Sequence, residues 1–334
     1  MRRTLKDVAD KAGVSRSAVS RAFTEGASVS PEMRRKVLKA AHELGYSPNA
    51  LASSLTTGRT KLVGLVSNNF RNPFFLEVFD LFTKELQDAG LRPLLVNLSN
   101  ETEPQDSLRM MQQYSVDGVI LASSTLPVGF ARAFRDAGMP IVHAFGRFSG
   151  RPQVHVVGID NVEAGRMAGR TLAERGYRKV TFLAGPEAAT TTQDRLQGFR
   201  EEMSRHPEIE TDVAFGEAYS FVAGRTTMLD LIRHPMAEAY FCGDDVLSIG
   251  ALSALREHGI RVPDDVGIIG VNDMEMSSWE LIDLTTIRQP IRPMIRSAVD
   301  LMASILYDED AVPEARLFSC DLVERGTLRP IPKG

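Results

Sequence analysis

Gly13-Val14-Ser15-Arg16-Ser17-Ala18-Val19-Ser20-Arg21 is the stretch whose reading decides the fold of the N-terminal part of this chain. Upstream of it, Leu5, Val8, Ala9 and Ala12 recur at helical spacing and stop at Gly13, a residue that readily takes the left-handed conformation ending a helix. Ser15 is placed to cap a second helix, in which Ala18, Val19 and Ala22 form a small inward stripe. Ala9 and Val19 are small enough to let the two helices cross closely. The pattern predicts a helix-turn-helix. Its second helix turns Arg16, Ser17, Ser20 and Arg21 outward, guanidinium forks and hydroxyls able to bond guanine edges and phosphates in a major groove.

Working outward, Ser30-Pro31-Glu32 supplies a cap, a first-turn proline and an early acid for a third helix. Val37, Leu38, Ala41 and Leu44 are its expected buried face, and Gly45 follows its end. Tyr46-Ser47-Pro48-Asn49-Ala50-Leu51-Ala52-Ser53-Ser54-Leu55 then restarts a helix of about two turns, too short to be stable alone in water. Residues 1–60 hold 11 Lys/Arg against 5 Asp/Glu, an excess of six positive charges in a chain whose formal net charge is −4. The basic charge therefore sits at the helix-turn-helix end, while an acidic remainder of −10 would be repelled by phosphate. Arg34-Arg35-Lys36 reads as a solvated face.

The segments TLKDVADKAGVSRSAVSRAF, VSPEMRRKVLKAAHELGYSPN and ALASSL resemble the headpiece and hinge of the lactose/galactose-repressor (LacI/GalR) family of bacterial transcription regulators. The resemblance implies that Arg16, Ser17 and Arg21 read bases, and that Thr4, Ser15, Ser20, Ser30 and Asn49 hold the DNA backbone. It also implies that Ala52 and Leu55 belong to a hinge helix entering the minor groove. Leu55 would be the wedge, since an apolar side chain pushed between base steps kinks DNA at a cost of about a few kcal/mol per step. Ala18 and Thr24 depart from the family pattern, which usually has Thr and Asn there.

From Lys61 onward, β-branched runs alternate with amphipathic helices, the pattern of parallel sheets covered on both faces. Expected strands are 62–66, 94–96, 116–121, 141–142, 156–160, 180–183, 239–242 and 266–271, with 284–290 crossing between lobes and 320–323 returning to the second. Helices are expected near 74–89, 105–114, 130–137, 163–174, 196–205, 221–232, 246–257 and 294–306. Two similar α/β lobes fit this better than one very wide sheet. The motifs NPFF (72–75), VDGVI (116–120), DN (160–161), RLQGF (195–199), GVND (270–273), LTTI (284–287) and LVER (322–325) extend the resemblance to the family's periplasmic-binding-protein-like core. The expected organisation is a headpiece at 1–46, a hinge helix and linker at 47–60, and an effector-binding and dimerisation core at 61–334. Within that core, the first lobe spans about 61–159 plus 289–319 and the second about 160–288 plus 320–334.

In such folds a small molecule lies beyond the carboxyl ends of the strands. Phe74, Ser124, Thr191, Arg195, Tyr219, Asp244, Asn272 and Gln289 fall at positions resembling the family's effector contacts, and Phe70, Asn72 and Arg147 join them by proximity to strand ends. Phe74 and Tyr219 offer flat faces; Arg195, Asp244 and Asn272 offer directional hydrogen bonds. That mixture suits a sugar or sugar acid, and a nucleobase-like ring would also stack. Arg195, whose fork can hold two oxygens, alternatively pairs with Asp194 or another carboxylate. Arg147 either faces a ligand carboxylate or phosphate, pairs with Asp244 across the cleft, or points to solvent. Asp244 stands where the family usually has Asn. Phe75, Phe79 and Phe82 read as core.

Cys242 and Cys320 are too few for a disulfide framework or a zinc site and read as buried small hydrophobes; the six histidines show no metal-site spacing. No metal or cofactor is expected. No apolar run reaches spanning length and the start has no signal-peptide core, so a cytoplasmic protein without membrane contact is expected. The leading reading is a homodimeric, ligand-controlled repressor of a pseudo-palindromic double-stranded DNA operator. Alternatives are an operator-binding regulator gated by a protein partner or a purine-like ligand, a solute receptor, and an enzyme on the same scaffold. The absence of a GxGxxG turn, a Walker loop and a GxSxG elbow counts against the last.

Overall fold

The computed structural model describes residues 3–24, 27–47, 58–98, 104–126, 128–148, 150–308 and 310–332. The chain divides into two compact units, residues 1–60 and 61–334. In the first, α1 (Leu5–Ala12), α2 (Arg16–Phe23) and α3 (Pro31–Leu44) each start on a hydroxyl. Thr4 forms a reciprocal capping box with Asp7, Ser15 accepts from the Ala18 N–H, and Ser30 accepts from the Met33 N–H. Gly13 and Gly45 close α1 and α3 at φ 63° and 61°, left-handed values that favour glycine. The three helices pack through Val8, Ala9, Ala12, Val19, Ala22, Val37, Ala40 and Ala41.

Two expectations fail in this unit. Leu38 is exposed, and Ala40 takes its place in the core, because the buried stripe of α3 runs 37–40–41–44 and leaves residue 38 on the far side. Arg34 is not merely solvated: its guanidinium donates to the carbonyls of Ala22 (2.9 Å), Thr24 (3.4 Å) and Ala27 (3.3 Å), clamping the end of α2 and the chain that follows.

The second unit opens with β1 (Leu62–Ser67), α4 (Pro73–Asp88), β2 (Arg92–Asn97), α5 (Pro104–Gln113), β3 (Gly118–Ala122), α6 (Val128–Asp136), β4 (Ile141–Ala144) and β5 (His155–Ile159). It continues with α7 (Asn161–Glu174), β6 (Lys179–Ala184), α8 (Thr190–Met203), β7 (Glu210–Phe215), α9 (Phe221–Ile232), β8 (Ala239–Cys242), α10 (Asp245–Glu257), β9 (Gly267–Asn272) and β10 (Thr286–Arg288). The last elements are α11 (Ile291–Ile305), β11 (Ala315–Phe318) and β12 (Asp321–Val323). Two six-stranded sheets result, ordered β11-β5-β4-β3-β1-β2 and β12-β10-β9-β8-β6-β7. Pairing is parallel except between β10 and β12. Central strands such as β3 and β9 are buried along their whole length, which is why their sequences are uninterrupted apolar runs. The chain passes between the sheets after β5, after β10 and between β11 and β12.

The edge strands β7 and β11 have no counterpart in the sequence expectation, because Glu-Thr-Asp-Val-Ala-Phe and Ala-Arg-Leu-Phe lack an apolar run. Residues 286–288 form β10 of the second sheet, so the crossing begins only at Gln289. Helix α8 starts at Thr190, six residues before the expected start near 196. Its Thr190-Thr191-Thr192 run has poor helix propensity, and tertiary contacts override it. A β-carbon on Gly198 would lie 1.8 Å from the Val162 carbonyl oxygen, and one on Gly165 would lie 2.1 Å from that of Arg195. The backbones of α7 and α8 are therefore in contact, and this contact fixes where Arg195 starts.

Candidate functional site

On the first unit, Arg16, Ser17, Ser20 and Arg21 are all exposed on α2, while Ala18, Val19 and Ala22 face inward. Ser15 holds the Ala18 N–H at 3.2 Å and shares a 2.9 Å hydrogen bond with Ser17. The N-termini of all three helices carry short hydroxyl caps at Thr4, Ser15 and Ser30, where phosphate oxygens are favoured by free N–H groups. Asn49, Ala52 and Leu55 lie outside the described residues.

The second unit has its cleft where strand order reverses. In the first sheet β1 lies between β2 and β3, and in the second β6 lies between β7 and β8. The loops leaving those switch points diverge and leave a crevice. A narrow cavity of about 20 Å³ there is lined by Phe74, Phe75, Ser124, Phe145, Ile159, Asn161, Thr191, Arg195, Tyr219, Asp244, Asn272 and Gln289. Each of the strands β3, β4, β5, β7, β8 and β10 is followed within four residues by a lining residue, and β9 ends on one, Asn272. Phe145 and Asn272 hold positive φ values of 64° and 121°, unusual for residues with side chains and located where the cleft is built.

The polar wall is an ordered relay. Gln289 Nε2 donates to Asn272 Oδ1 at 2.6 Å, and Asn272 Nδ2 donates to Asp244 Oδ2 at 2.9 Å. Asn72 Nδ2, from the first lobe, donates to the same carboxylate oxygen at 3.0 Å, while Oδ1 accepts from the Val246 N–H at 2.7 Å. Arg195 is buried, donating from Nε to Asn161 Oδ1 at 2.9 Å and from Nη1 to the Gly243 carbonyl at 2.5 Å. Burial, reinforced by the neighbouring Asp245 carboxylate, pushes Asp244 up to about 7. Asp245 is itself raised by burial, against hydrogen bonds from Thr286, Met274 and Ser277. Burial also raises the Tyr219 phenol, which bonds Thr191 at 3.1 Å and Thr192 at 2.7 Å.

Three contacts join the lobes around this wall. Thr190 and Thr191 donate to the Ser124 carbonyl at 3.4 and 3.5 Å, Asn72 reaches Asp244, and Arg147 pairs with Asp194. The Arg147 pair is partly exposed, so it contributes about 0–1 kcal/mol. A buried hydrogen bond contributes about 0.5–1.5 kcal/mol, and about 1.5–3 kcal/mol once its acceptor is ionised, which makes Asn72–Asp244 the strongest of the three ties.

Eight expected contacts, Phe74, Ser124, Thr191, Arg195, Tyr219, Asp244, Asn272 and Gln289, line the cleft together. Three do not. Phe70 turns away onto Phe79, with ring centroids 4.5 Å apart, because the core of the first lobe offers it an aromatic partner. Asn72 caps α4, accepting from the Phe74 N–H at 3.1 Å, and spends its amide on Asp244. Arg147 donates from Nε to Asp194 at 2.9 and 3.1 Å, pairing neither with Asp244 nor with solvent alone. With Asp194 so engaged, Arg195 makes its bonds to Asn161 and Gly243 instead of a carboxylate. Phe75, read as core, also lines the cleft. Phe145, Ile159 and Asn161 were missed; their signal was that each lies at the end of an expected strand. Cys242 is buried, but Cys320 is only partly so.

Residues 4–49 match the model for bacterial regulatory proteins of the lacI family, and residues 170–328 match the periplasmic binding protein-like domain. The HTH-type transcriptional regulator CelR of Thermobifida fusca is 33% identical over 334 residues, 97% of this chain and 98% of that protein. The structure of a transcriptional regulator CelR–cellobiose complex superimposes with a TM-score of 0.72 at 32% identity, covering 98% of this chain and all of the other. The lac repressor dimer bound to operator shares the fold, with a TM-score of 0.86 at 24% identity over 98% of this chain and all of the other. These relatives are transcription regulators rather than enzymes, and among the described residues no helix is long and apolar enough to cross a membrane. With a matching headpiece, a matching core and a relative aligned from end to end, the chain belongs to the lacI family of DNA-binding bacterial transcription regulators.

Proposed function

We propose that the protein is a homodimeric repressor that binds a pseudo-palindromic operator through α2 and is controlled by a sugar or sugar acid held between the core lobes. The observation that carries the effector reading is the cleft wall: four aromatic side chains, one buried guanidinium and a relay of amides ending on Asp244. Alternating donors and acceptors beside flat apolar faces match the hydroxyls and C–H faces of a pyranose. The similar solved structure, a CelR–cellobiose complex, supports this class. Residues 47–60 serve as the hinge and linker. Ligand acts by its differential affinity for the open and closed lobes, and that difference sets the operator affinity.

An apolar patch on the second lobe, containing Phe221, Trp279 and Leu281 with Val222 beside it, supports the dimer; Leu281 is 84% exposed and Val222 69%. Exposed apolar side chains gathered like this mark a protein contact. The experiment is thermal unfolding of the full chain against sugars, sugar acids, phosphorylated sugars, nucleosides and purines, repeated with Arg195→Ala. A ligand at a thousand times its Kd adds about 4 kcal/mol to the state that binds it. A sugar shift lost in Arg195→Ala supports the reading, and a shift given only by nucleosides or purines refutes it. Sedimentation of Leu281→Asp tests the dimer: the expected result is a monomer with weakened operator binding.

A further inference from the structure

The cavity between the lobes holds about 20 Å³, room for one water, so a ring-sized molecule enters only if the lobes part. Its polar lining is turned inward: Tyr219 bonds Thr191 and Thr192, Arg195 bonds Asn161 and the Gly243 carbonyl, and Asn272 bonds Gln289 and Asp244. Two side-chain contacts span the gap firmly. Asn72, the N-cap of α4 in the first lobe, donates to Asp244, the N-cap of α10 in the second. Arg147, just past β4, lays its fork on Asp194 of α8, with Nε 2.9 and 3.1 Å from the two carboxylate oxygens and Nη2 on Oδ1. Thr190 and Thr191 reach the Ser124 carbonyl only at 3.4 and 3.5 Å, too long to hold the lobes. Both ends of the Arg147 contact are rigidly mounted. Phe145, two residues earlier, sits at φ 64° with its ring against Phe74 and Phe75, and α8 meets α7 backbone to backbone at Gly165 and Gly198.

From this arrangement we infer that Arg147–Asp194 and Asn72–Asp244 form a latch that keeps the lobes shut, and that the effector enters only when the latch releases. The inference rests on reading the cleft as the effector site and not on the effector's class. The occupied cleft is then wider than the latched one, and the apparent affinity is the intrinsic affinity reduced by the small fraction of molecules that are unlatched. The two halves of the latch respond differently to salt. Arg147 and Asp194 are 36% and 12% exposed, so dissolved ions screen their attraction, whereas the buried amide of Asn72 carries no charge to screen. Ionic strength therefore loosens the latch through the ion pair alone.

The test reads access to the cleft with no effector present. Ile159, 4% exposed on the cleft wall and apolar, is replaced by cysteine in the full-length protein. Labelling of Ile159→Cys by N-ethylmaleimide, a ring too large for the cavity, is followed by peptide mass spectrometry. The expected result is slow labelling that rises about 1.5- to 5-fold when Arg147→Ala is added, the scale of one partly exposed ion pair. High salt gives a similar rise with Arg147 in place and none in Arg147→Ala; Arg147→Lys, which keeps the charge without the fork, falls between. Hydrogen exchange of the protein without the added cysteine gives a second reading. The Phe74 and Val246 N–H groups, bonded to Asn72 and Asp244 on opposite sides of the cleft, both exchange faster in Arg147→Ala, while the amides of β9 do not change. Labelling or exchange unmoved by Arg147→Ala, or faster exchange confined to the neighbourhood of 147 and 194 or spread into β9, overturns the latch. Each of these results leaves the effector's class untouched, since the sugar reading stands or falls on the unfolding screen alone.

Discussion

Asp244→Asn replaces the buried acceptor at the end of the amide relay with a group of the same shape that cannot ionise. In the native protein Asp244 titrates near 7, against 3.8 for the free side chain. Between those values the folded state holds a proton that the unfolded state has released, so stability falls as pH rises from about 4 to 7 and levels off above. The difference is on the order of 4 kcal/mol. The groups facing it are Asp245, which raises it further, Arg195, which opposes, and Tyr219 and Cys242, both held neutral by burial. The variant removes this slope but carries a constant penalty. With its oxygen toward Asn72 and Asn272, its own amide faces the Val246 N–H at the position now bonded at 2.7 Å, leaving a donor unsatisfied for about 1–3 kcal/mol. The two effects have opposite sign at every pH above about 4, and the titration effect grows by about 1.4 kcal/mol per pH unit up to 7, so the variant should gain about 3 kcal/mol on the native protein between pH 5 and pH 8 and be the more stable of the two at pH 8. Urea unfolding at fixed protein concentration, followed through the single tryptophan, Trp279 in the second lobe, measures both. Some slope persists in the variant because Asp245 is also raised. A stability difference between the two proteins that is the same at pH 5 and pH 8 would refute the argument.

Arg21→Ala should relax operator sequence preference by about 1–3 kcal/mol and flatten the salt dependence of binding, read by fluorescence anisotropy over a salt series; an unchanged salt dependence and preference would place α2 away from the groove. Gly198→Ala drives a methyl group into the Val162 carbonyl and should lower the unfolding midpoint sharply and abolish Arg195-dependent ligand binding. Gly129→Ala, which meets open space, should leave both unchanged or slightly improved. Arg34→Ala releases three carbonyls at the end of α2. Operator affinity should fall while the ligand-induced unfolding shift of the core stays the same, and a loss of both would show that Arg34 serves more than the headpiece.

The sequence determined what is local. Caps at Thr4, Ser15 and Ser30, left-handed glycines at 13 and 45 and the spacing of small apolar residues specify three helices and their crossing, because each signal acts within one or two turns. Uninterrupted apolar runs specify the central strands of both sheets, since burial on both faces demands them. The list of strand ends, together with family resemblance, also named eight of the cleft residues. Tertiary structure alone decided the rest. Edge strands β7 and β11 form through pairing with a neighbour, which their own polar sequences do not announce. Only the folded chain brings Asn72 to Asp244, 172 positions away, and Arg147 to Asp194, 47 positions away. Charge pairing is set by which surfaces meet across the cleft, and no sequence spacing encodes that. The same holds for the elevated proton affinity of Asp244, which comes from burial and from its neighbours, neither of which exists until both lobes have folded.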